Sequence, residues 1–349
     1  MYSQVAIITP NFNKGNHVID CIQSVLNQTY ADWQLYFVDD KSTDNSYDLA
    51  VKAAGGDERV HILRNESGIK GANAARNYAL QKVTSKYVLF LDSDDIMTSD
   101  CLLKRIEDSK QFQDEDFLAY PMGFFFDQLG DSDLISNVPN EKDDLDRFLE
   151  RDIVWQISSP FWKLSALNEL GGFNLNLFSQ QDVDLHIRAL TKGFKYKYLH
   201  RKPTIFYRRN VESEPRKLSQ SVEHLIARKD MIIKHYELLV ESGKLTNNRK
   251  RLLARYILDI AQMMRWHQNE LGREATQKAL EMWQSARSLV SAHIYKYGRR
   301  YILFKHQMLF NRFPVLQQSI ERFLVRKLEG YIHKPSTTYG KVKFSDDEA

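Results

Sequence analysis

Short apolar runs and stretches of helical period alternate over the first hundred residues. Val5-Ala6-Ile7-Ile8, Leu35-Tyr36-Phe37-Val38, Val60-His61-Ile62-Leu63 and Tyr87-Val88-Leu89-Phe90-Leu91 have the length and composition of buried strands. Between them Ile19, Ile22, Val25 and Leu26 recur at helical spacing, a second helix is predicted from near Ser46, and a third over about 72–83. Strand and helix alternating at this pitch predict an α/β fold, a mostly parallel sheet with helices on both faces. Right-handed crossovers then bring the carboxyl ends of the strands to one edge, where open α/β sheets bind ligands.

The pattern changes twice further on. From about 117 to 210 it is mixed, with short apolar runs, loops and a Gly171-Gly172-Phe173 turn. Residues 216–333 then read as almost continuous helix, rich in Leu, Ile, Arg, Lys and aromatics. These shifts predict a sheet domain over 1–212, an all-α region over 213–335, and a polar tail over 336–349 expected to be disordered.

Composition narrows the function classes. With 43% hydrophobic and 12% aromatic residues the 349-residue chain can build a sizeable core. A net charge of +4 is too mild to mark a nucleic-acid binder, and no nucleic-acid motif is recognised. Cys21 and Cys101 lack zinc-site spacing and read as free thiols of a reducing compartment. The N-terminus shows no charged-then-apolar signal pattern, and no apolar run reaches the ~18 residues of a membrane span. The expected setting is cytoplasmic, with peripheral contact to the inner face of the plasma membrane as an option.

The polar residues that carry chemistry leave the predicted strands at the shared edge: Thr9-Pro10-Asn11 after the first, Asp39-Asp40 after the second, Asp92-Ser93-Asp94-Asp95 after the fourth. Carboxylates crowded at the exit of a buried strand repel one another unless a cation sits among them. Asp92 and Asp94 alternate on extended chain and can face one ion together. Oxygen-only ligation suits Mg²⁺ or Mn²⁺, which keep waters and bind substrate phosphates. An acidic turn capping the next helix is the competing reading.

Those stretches resemble family 2 glycosyltransferases, whose fold is called GT-A. The likeness runs through Val5 to Asn13, Val38-Asp39-Asp40-Lys41-Ser42-Thr43-Asp44, Gly71-Ala72-Asn73-Ala74-Ala75-Arg76-Asn77, Leu91-Asp92-Ser93-Asp94-Asp95, Gly171-Gly172-Phe173 and Gln181-Asp182-Val183-Asp184-Leu185, over roughly residues 3–210. It implies an inverting, metal-dependent transfer from a nucleotide-sugar donor, a UDP-sugar above all, to a saccharide or lipid-linked saccharide acceptor in surface-polysaccharide assembly. By this resemblance Asp40 accepts from the uracil ring, with Thr9, Pro10 and Asn11 lining the same pocket. Arg76 holds the diphosphate or orients the aspartates. Asp92, Ser93 and Asp94 form the donor and metal segment, with Asp94 and Asp92 as ligands of Mn²⁺ or Mg²⁺. Asp182 is the catalytic base and Asp184 its competitor. Many relatives carry Glu before that aspartate, whereas this chain has Gln181, and losing that charge should depress the pKa of Asp182 relative to theirs. Trp155, Trp162 and Phe178 are candidates either for stacking on acceptor sugars or for core packing. Arg208 and Arg209 could close on the diphosphate or stay at the surface.

Two alternatives follow from the same residues. A catalytically silent nucleotide- or sugar-binding scaffold, acting through its helices, is favoured only by Gln181. A nucleotidyltransferase would need a glycine-rich basic loop after the first strand, which Thr9 to Gly15 match poorly. In the helical region, Arg287–Lys334 hold ten Lys or Arg and only two acids, Glu321 and Glu329. Interleaved Tyr295, Tyr297, Tyr301, Ile302, Leu303, Phe304, Leu309, Phe310, Phe313, Phe323 and Leu324 make this set amphipathic. It reads as a surface for anionic lipid headgroups, a bundle packed on the sheet domain, or a homodimer contact.

Overall fold

The computed structural model describes residues 3–136, 140–152, 154–209, 221–267, 273–306, 314–331 and 340–341. Its first half alternates as the apolar pattern predicts: β1 (Val5–Asn11), α1 (His17–Leu26), β2 (Trp33–Asp39), α2 (Ser46–Ala54), β3 (Val60–Arg64), α3 (Ala72–Leu80), β4 (Tyr87–Phe90). There follow β5 (Ile96–Met97), α4 (Cys101–Gln111), β6 (Phe117–Ala119), β7 (Met122–Phe125), β8 (Leu134–Ser136), α5 (Asp144–Leu149), β9 (Phe161–Lys163), α6 (Leu164–Leu170), α7 (Gln181–Lys192), β10 (Tyr196–Tyr198) and β11 (Ile205–Arg208). The helical part comprises α8 (Val222–Glu241), α9 (Asn247–Met263), a 3₁₀ turn (Met264–His267), α10 (Arg273–Gln284), α11 (Ala292–His306) and α12 (Pro314–Lys327).

Seven strands form the main sheet in the order β10-β6-β9-β4-β1-β2-β3. It is mostly parallel; only β9 runs against its neighbours β4 and β6. A second sheet, β12-β8-β7-β11-β5, includes β12 (Gly340–Lys341), which pairs antiparallel with β8. So two residues of the tail expected to be disordered are strand, and the rest of that tail lies outside the described residues.

The period-2 alternation of the strands explains both faces. Odd positions of β1, Val5 and Ile7, enter one core with Trp33, Leu35 and Phe37 of β2 and with α1 and α4, where both thiols are buried. Even positions, Ala6 and Ile8, enter the other with Val38, Val88, Phe90 and α3. That second core continues without a break into α8, α9 and the later helices through Leu225, Met231, Ile257 and Trp283. The helical stretch is therefore a folded bundle sharing a core with the sheet. Its Tyr301, Ile302, Phe304 and Leu324 are buried, while Phe323 is half exposed. Apolar residues turned inward leave mainly basic side chains, such as Lys296, Arg299 and Arg300, on the outside of α11. Leu309, Phe310 and Phe313 lie outside the described residues. No helix of the described residues is long and apolar enough to cross a membrane.

Candidate active site

Because β1 pairs with both β2 and β4, in parallel, their carboxyl ends abut. The loops leaving them, with α3 and the start of α7, enclose a cavity of about 400 Å³. Pro10, Asn11, Asp40, Arg76, Asp92, Ser93, Asp94 and Asp182 all line it. Thr9 does not: it is fully buried. The reason is the strand's parity, since Thr9 shares the odd face of β1 with Val5 and Ile7, directed into the core. Asn11, also odd, is only 2% exposed and spends its amide on Asp39 (2.9 Å), Ser42 (3.2 Å) and Ser46 (3.1 Å).

At one end, Asp40 is held rigidly. Its Oδ1 accepts from Asn65 Nδ2 at 2.7 Å and its Oδ2 from the Gly71 amide at 2.7 Å. Each oxygen keeps a further lone pair, so the carboxylate can still accept from a ligand. Gly71 has φ of +123°, and a Cβ there would lie 2.8 Å from Asn73 Oδ1, so glycine is required where α3 begins. Asp39, by contrast, is fully buried and serves the fold by accepting from Asn11 and from Ser42.

The middle of the cavity carries compensating charge. The Arg76 guanidinium, only 5% exposed, donates to Asp92 Oδ1 at 2.6 Å and to Gln181 Oε1 at 3.0 Å. Its Nε is buried without a partner among the described residues. Lys14, from the loop after β1, makes an ion pair with Asp94. Asp95 points away, nearly fully buried, and accepts from the Arg208 amide at 3.1 Å. Burial, with Asp92 and Asp94 close by, pushes its carboxyl well above the usual range. Arg208 reaches Asp20 at 2.6 Å and the Asp94 carbonyl at 3.1 Å, bracing the acidic loop from outside. Ser93 is buried, its hydroxyl unpartnered among the described residues.

Among the described residues no three His, Cys, Asp or Glu side chains cluster as a complete metal cage. The donor set nonetheless fits Mg²⁺ or Mn²⁺, since two carboxylates facing a cavity leave the other positions to water and phosphate oxygens. Lys14 sits on one of these carboxylates and is the group such an ion would displace.

At the other end, Asp182 occupies the first turn of α7, where the helix amides favour negative charge. It is partly open to the cavity, and its Oδ1 accepts from the Val183 amide at 2.9 Å. Burial raises its pKa, opposed by that hydrogen bond and by the nearby Arg76. Asp184 is a different kind of residue. It is 2% exposed and bonds His235 of α8 at 3.0 Å and Arg188 at 2.9 Å, which together hold it below the usual range despite burial. It ties α7 to α8 and has no access to this cavity.

The Gly171-Gly172-Phe173 turn now has a physical account. Asn77 of α3 bonds both the amide and the carbonyl of Phe173 at 2.8 Å. A Cβ on Gly172 would lie 2.6 Å from the Asn77 oxygen, so only glycine allows that approach. Asn73 donates to the carbonyls of Asn174 and Leu177, each at 2.8 Å. Trp155 and Trp162 are fully buried in an aromatic cluster with Phe117, Phe148 and His186, which excludes them as sugar platforms. His186 lies among these rings with burial pushing it down to about 3, so it is neutral. Phe178, 58% exposed, lines the cavity. Lys14 and Lys70, absent from the sequence expectation, also line it. A lysine in a polar loop looks like any solvated surface charge until the fold brings it to the carboxylates.

The Glycosyl transferase family 2 profile matches residues 6–149, which contain every one of these cavity residues except those on the 157 and 177–182 segments. TuaG of Bacillus subtilis (strain 168), whose name provisionally assigns it to teichuronic acid biosynthesis as a glycosyltransferase, is 41% identical over 103 residues, 30% of this chain and 40% of its own length. WfgD of Escherichia coli, a UDP-Glc:alpha-D-GlcNAc-diphosphoundecaprenol beta-1,3-glucosyltransferase, is 41% identical over 102 residues, 29% of this chain and 39% of its own. The chain thus spans about 40% of the length of these relatives. Residues 1–349 of S. aureus TarS, solved with UDP-GlcNAc, superpose over 92% of both chains with a TM-score of 0.62 at 15% identity, a likeness of fold. The α/β architecture with its helical extension shares the GT-A fold of that structure, and residues 6–149 match the glycosyl transferase family 2 profile.

Proposed function

We propose that this chain is an inverting, metal-dependent glycosyltransferase that uses a UDP-sugar and an acceptor hydroxyl on a saccharide or lipid-linked saccharide, in the assembly of a surface polysaccharide. The observation that carries this reading is convergence. An acceptor-only carboxylate (Asp40), a segment with two carboxylates (Asp92 and Asp94), a buried guanidinium (Arg76) and an open carboxylate at a helix start (Asp182) line one cavity from separate elements. The naming of relatives supports the setting: one is assigned to teichuronic acid biosynthesis and another takes UDP-Glc.

In this reading Asp40 accepts from the imide N–H of the base, and Asn65 and Gly71 fix its orientation. Arg76 and Lys14 lie where they can neutralise diphosphate oxygens. A Mg²⁺ or Mn²⁺ held by Asp94 and Asp92 would supply Lewis-acid stabilisation of the leaving diphosphate. Asp182 takes the proton of the acceptor hydroxyl as its oxygen bonds to the anomeric carbon and the bond from that carbon to the diphosphate oxygen breaks. Inversion follows from a single displacement of this kind. The exposed Lys296, Arg299 and Arg300 supply charge for contact with an anionic lipid surface, where a lipid-linked acceptor would be found.

The Gln181 substitution fits activity, because its amide oxygen takes up the Arg76 guanidinium and leaves Asp182 open to the cavity. Release of UDP from UDP-Glc and UDP-GlcNAc by wild type and Asp182→Asn tests the reading. Removing the base should lower turnover by about 10²–10⁴-fold with nucleotide binding retained. Nucleotide binding by the wild type with no turnover of any sugar nucleotide would instead support the silent scaffold.

A further inference from the structure

The segment between Leu177 and α7, which delivers Asp182 to the cavity, is anchored from two sides. On the α3 side, Asn73 and Asn77 hold residues 173–177 by the bonds described above. On the other side, three consecutive residues are each held by the helical region. The Phe178 ring packs on His224 of α8 with centroids 4.4 Å apart. Ser179 Oγ accepts from Arg228 of α8, from Nε at 3.2 Å and from Nη2 at 3.0 Å. Gln180 Oε1 accepts from the Tyr256 hydroxyl of α9.

Gln180 is also a backbone exception. It has φ of 60° and ψ of 32°, the left-handed region, and forms the cap from which α7 starts. A residue with a Cβ adopts that conformation only when its surroundings hold it there. Here the holding groups are buried: Arg228 is 7% exposed and Tyr256 6%. Both have polar heads that are expensive to bury without partners, and the bonds to residues 179 and 180 supply part of what they require. The first helical bond of α7, from the Asp184 amide to the Gln180 carbonyl at 3.0 Å, transmits that geometry to the turn carrying Asp182.

We infer that α8 and α9 form a built part of the catalytic unit, with Arg228 and Tyr256 as positioning residues that set the 178–180 loop and thereby the orientation of Asp182 over the acceptor. The inference rests on the glycosyl-transfer reading, with Asp182 as base. It assigns to the helical region a task distinct from membrane contact or dimerisation. Neither side chain lines the donor end of the cavity, so both act on the chemical step and leave nucleotide binding alone.

The test uses the full chain and two minimal variants, Tyr256→Phe, which deletes one oxygen, and Ser179→Ala, which removes the loop hydroxyl that accepts from Arg228 while leaving every bundle residue unchanged. Circular dichroism melting confirms that each folds. Hydrogen–deuterium exchange should rise over 178–183 in both variants and stay unchanged over 87–97. UDP release from UDP-Glc and UDP-GlcNAc should show kcat reduced by about tenfold or more, with donor KM and calorimetric UDP affinity within about twofold of wild type, since small displacements at a reacting group cost rate more than binding. Unchanged exchange over 178–183, or increased exchange with unchanged kcat, would overturn the inference. A wild type that binds no UDP, while exchange responds as expected, would overturn the transfer reading and with it the catalytic meaning of the anchoring.

Discussion

At the scale of single residues, burial and pairing sort carboxylates that look alike in sequence. Asp182 and Asp184 lie two positions apart at the start of one helix, yet one opens to the cavity and the other is locked between His235 and Arg188. Their titrations follow. Burial raises Asp182; if it is the base proposed above it must be ionised to act, so kcat/KM should increase with pH through a value above the ordinary carboxylate pKa of about 3.9. An acid limb at or below that value in a pH–rate profile would contradict this. Asp184 is lowered, so its contribution to stability is present above the unfolded pKa and lost as pH falls through the folded one. Asp184→Asn should cost about 2–3 kcal/mol near neutrality by denaturant unfolding, and the gap to wild type should narrow toward low pH. Lys14→Met, which frees Asp94, should raise Mn²⁺ affinity without nucleotide by up to roughly fivefold, the worth of a ~1 kcal/mol partly exposed ion pair. Which aspartates were candidates was legible in the sequence, because each follows directly on its strand or starts its helix. The partners that separate them were not: Asn65, Lys14 and His235 lie 25, 80 and 51 positions away from Asp40, Asp94 and Asp184.

At the scale of elements, the period-2 and helical patterns located β1 to β4 and α1 to α3, since each buries its own face and carries that signal locally. The antiparallel β9 and the pairing of β11 with β7 and β5 were not legible, because short strands of three or four residues hold too few alternations to reveal direction or partner. The almost continuous helix expected over 216–333 is, among the described residues, a series of separate helices that pack back on one another. Gly298 shows how closely. A Cβ there would lie 2.3 Å from the ring of Trp283, which is fully buried and donates to the Tyr295 carbonyl at 2.9 Å. Alanine would ordinarily stabilise a helix interior by ~1 kcal/mol. Here the clash with a rigid, enclosed indole outweighs it, and Gly298→Ala should destabilise by about 1–3 kcal/mol, seen as a lower thermal midpoint.

At the scale of the whole molecule, one core runs from the sheet into the helical bundle, and the bundle grips the loop that presents Asp182. In the proposed reading, sheet edge, acidic segment and bundle form one machine with a donor end at Asp40 and an acceptor end at Asp182. The measurement that bears most directly on it is calorimetric titration of UDP, GDP, dTDP and CMP, with and without Mn²⁺, into wild type, Asp40→Asn and Asp94→Ala. The account predicts preferential UDP binding strengthened by Mn²⁺, weakened in Asp40→Asn, and stripped of its metal dependence in Asp94→Ala. No nucleotide binding under any condition, or UDP binding indifferent to all three changes, would contradict it.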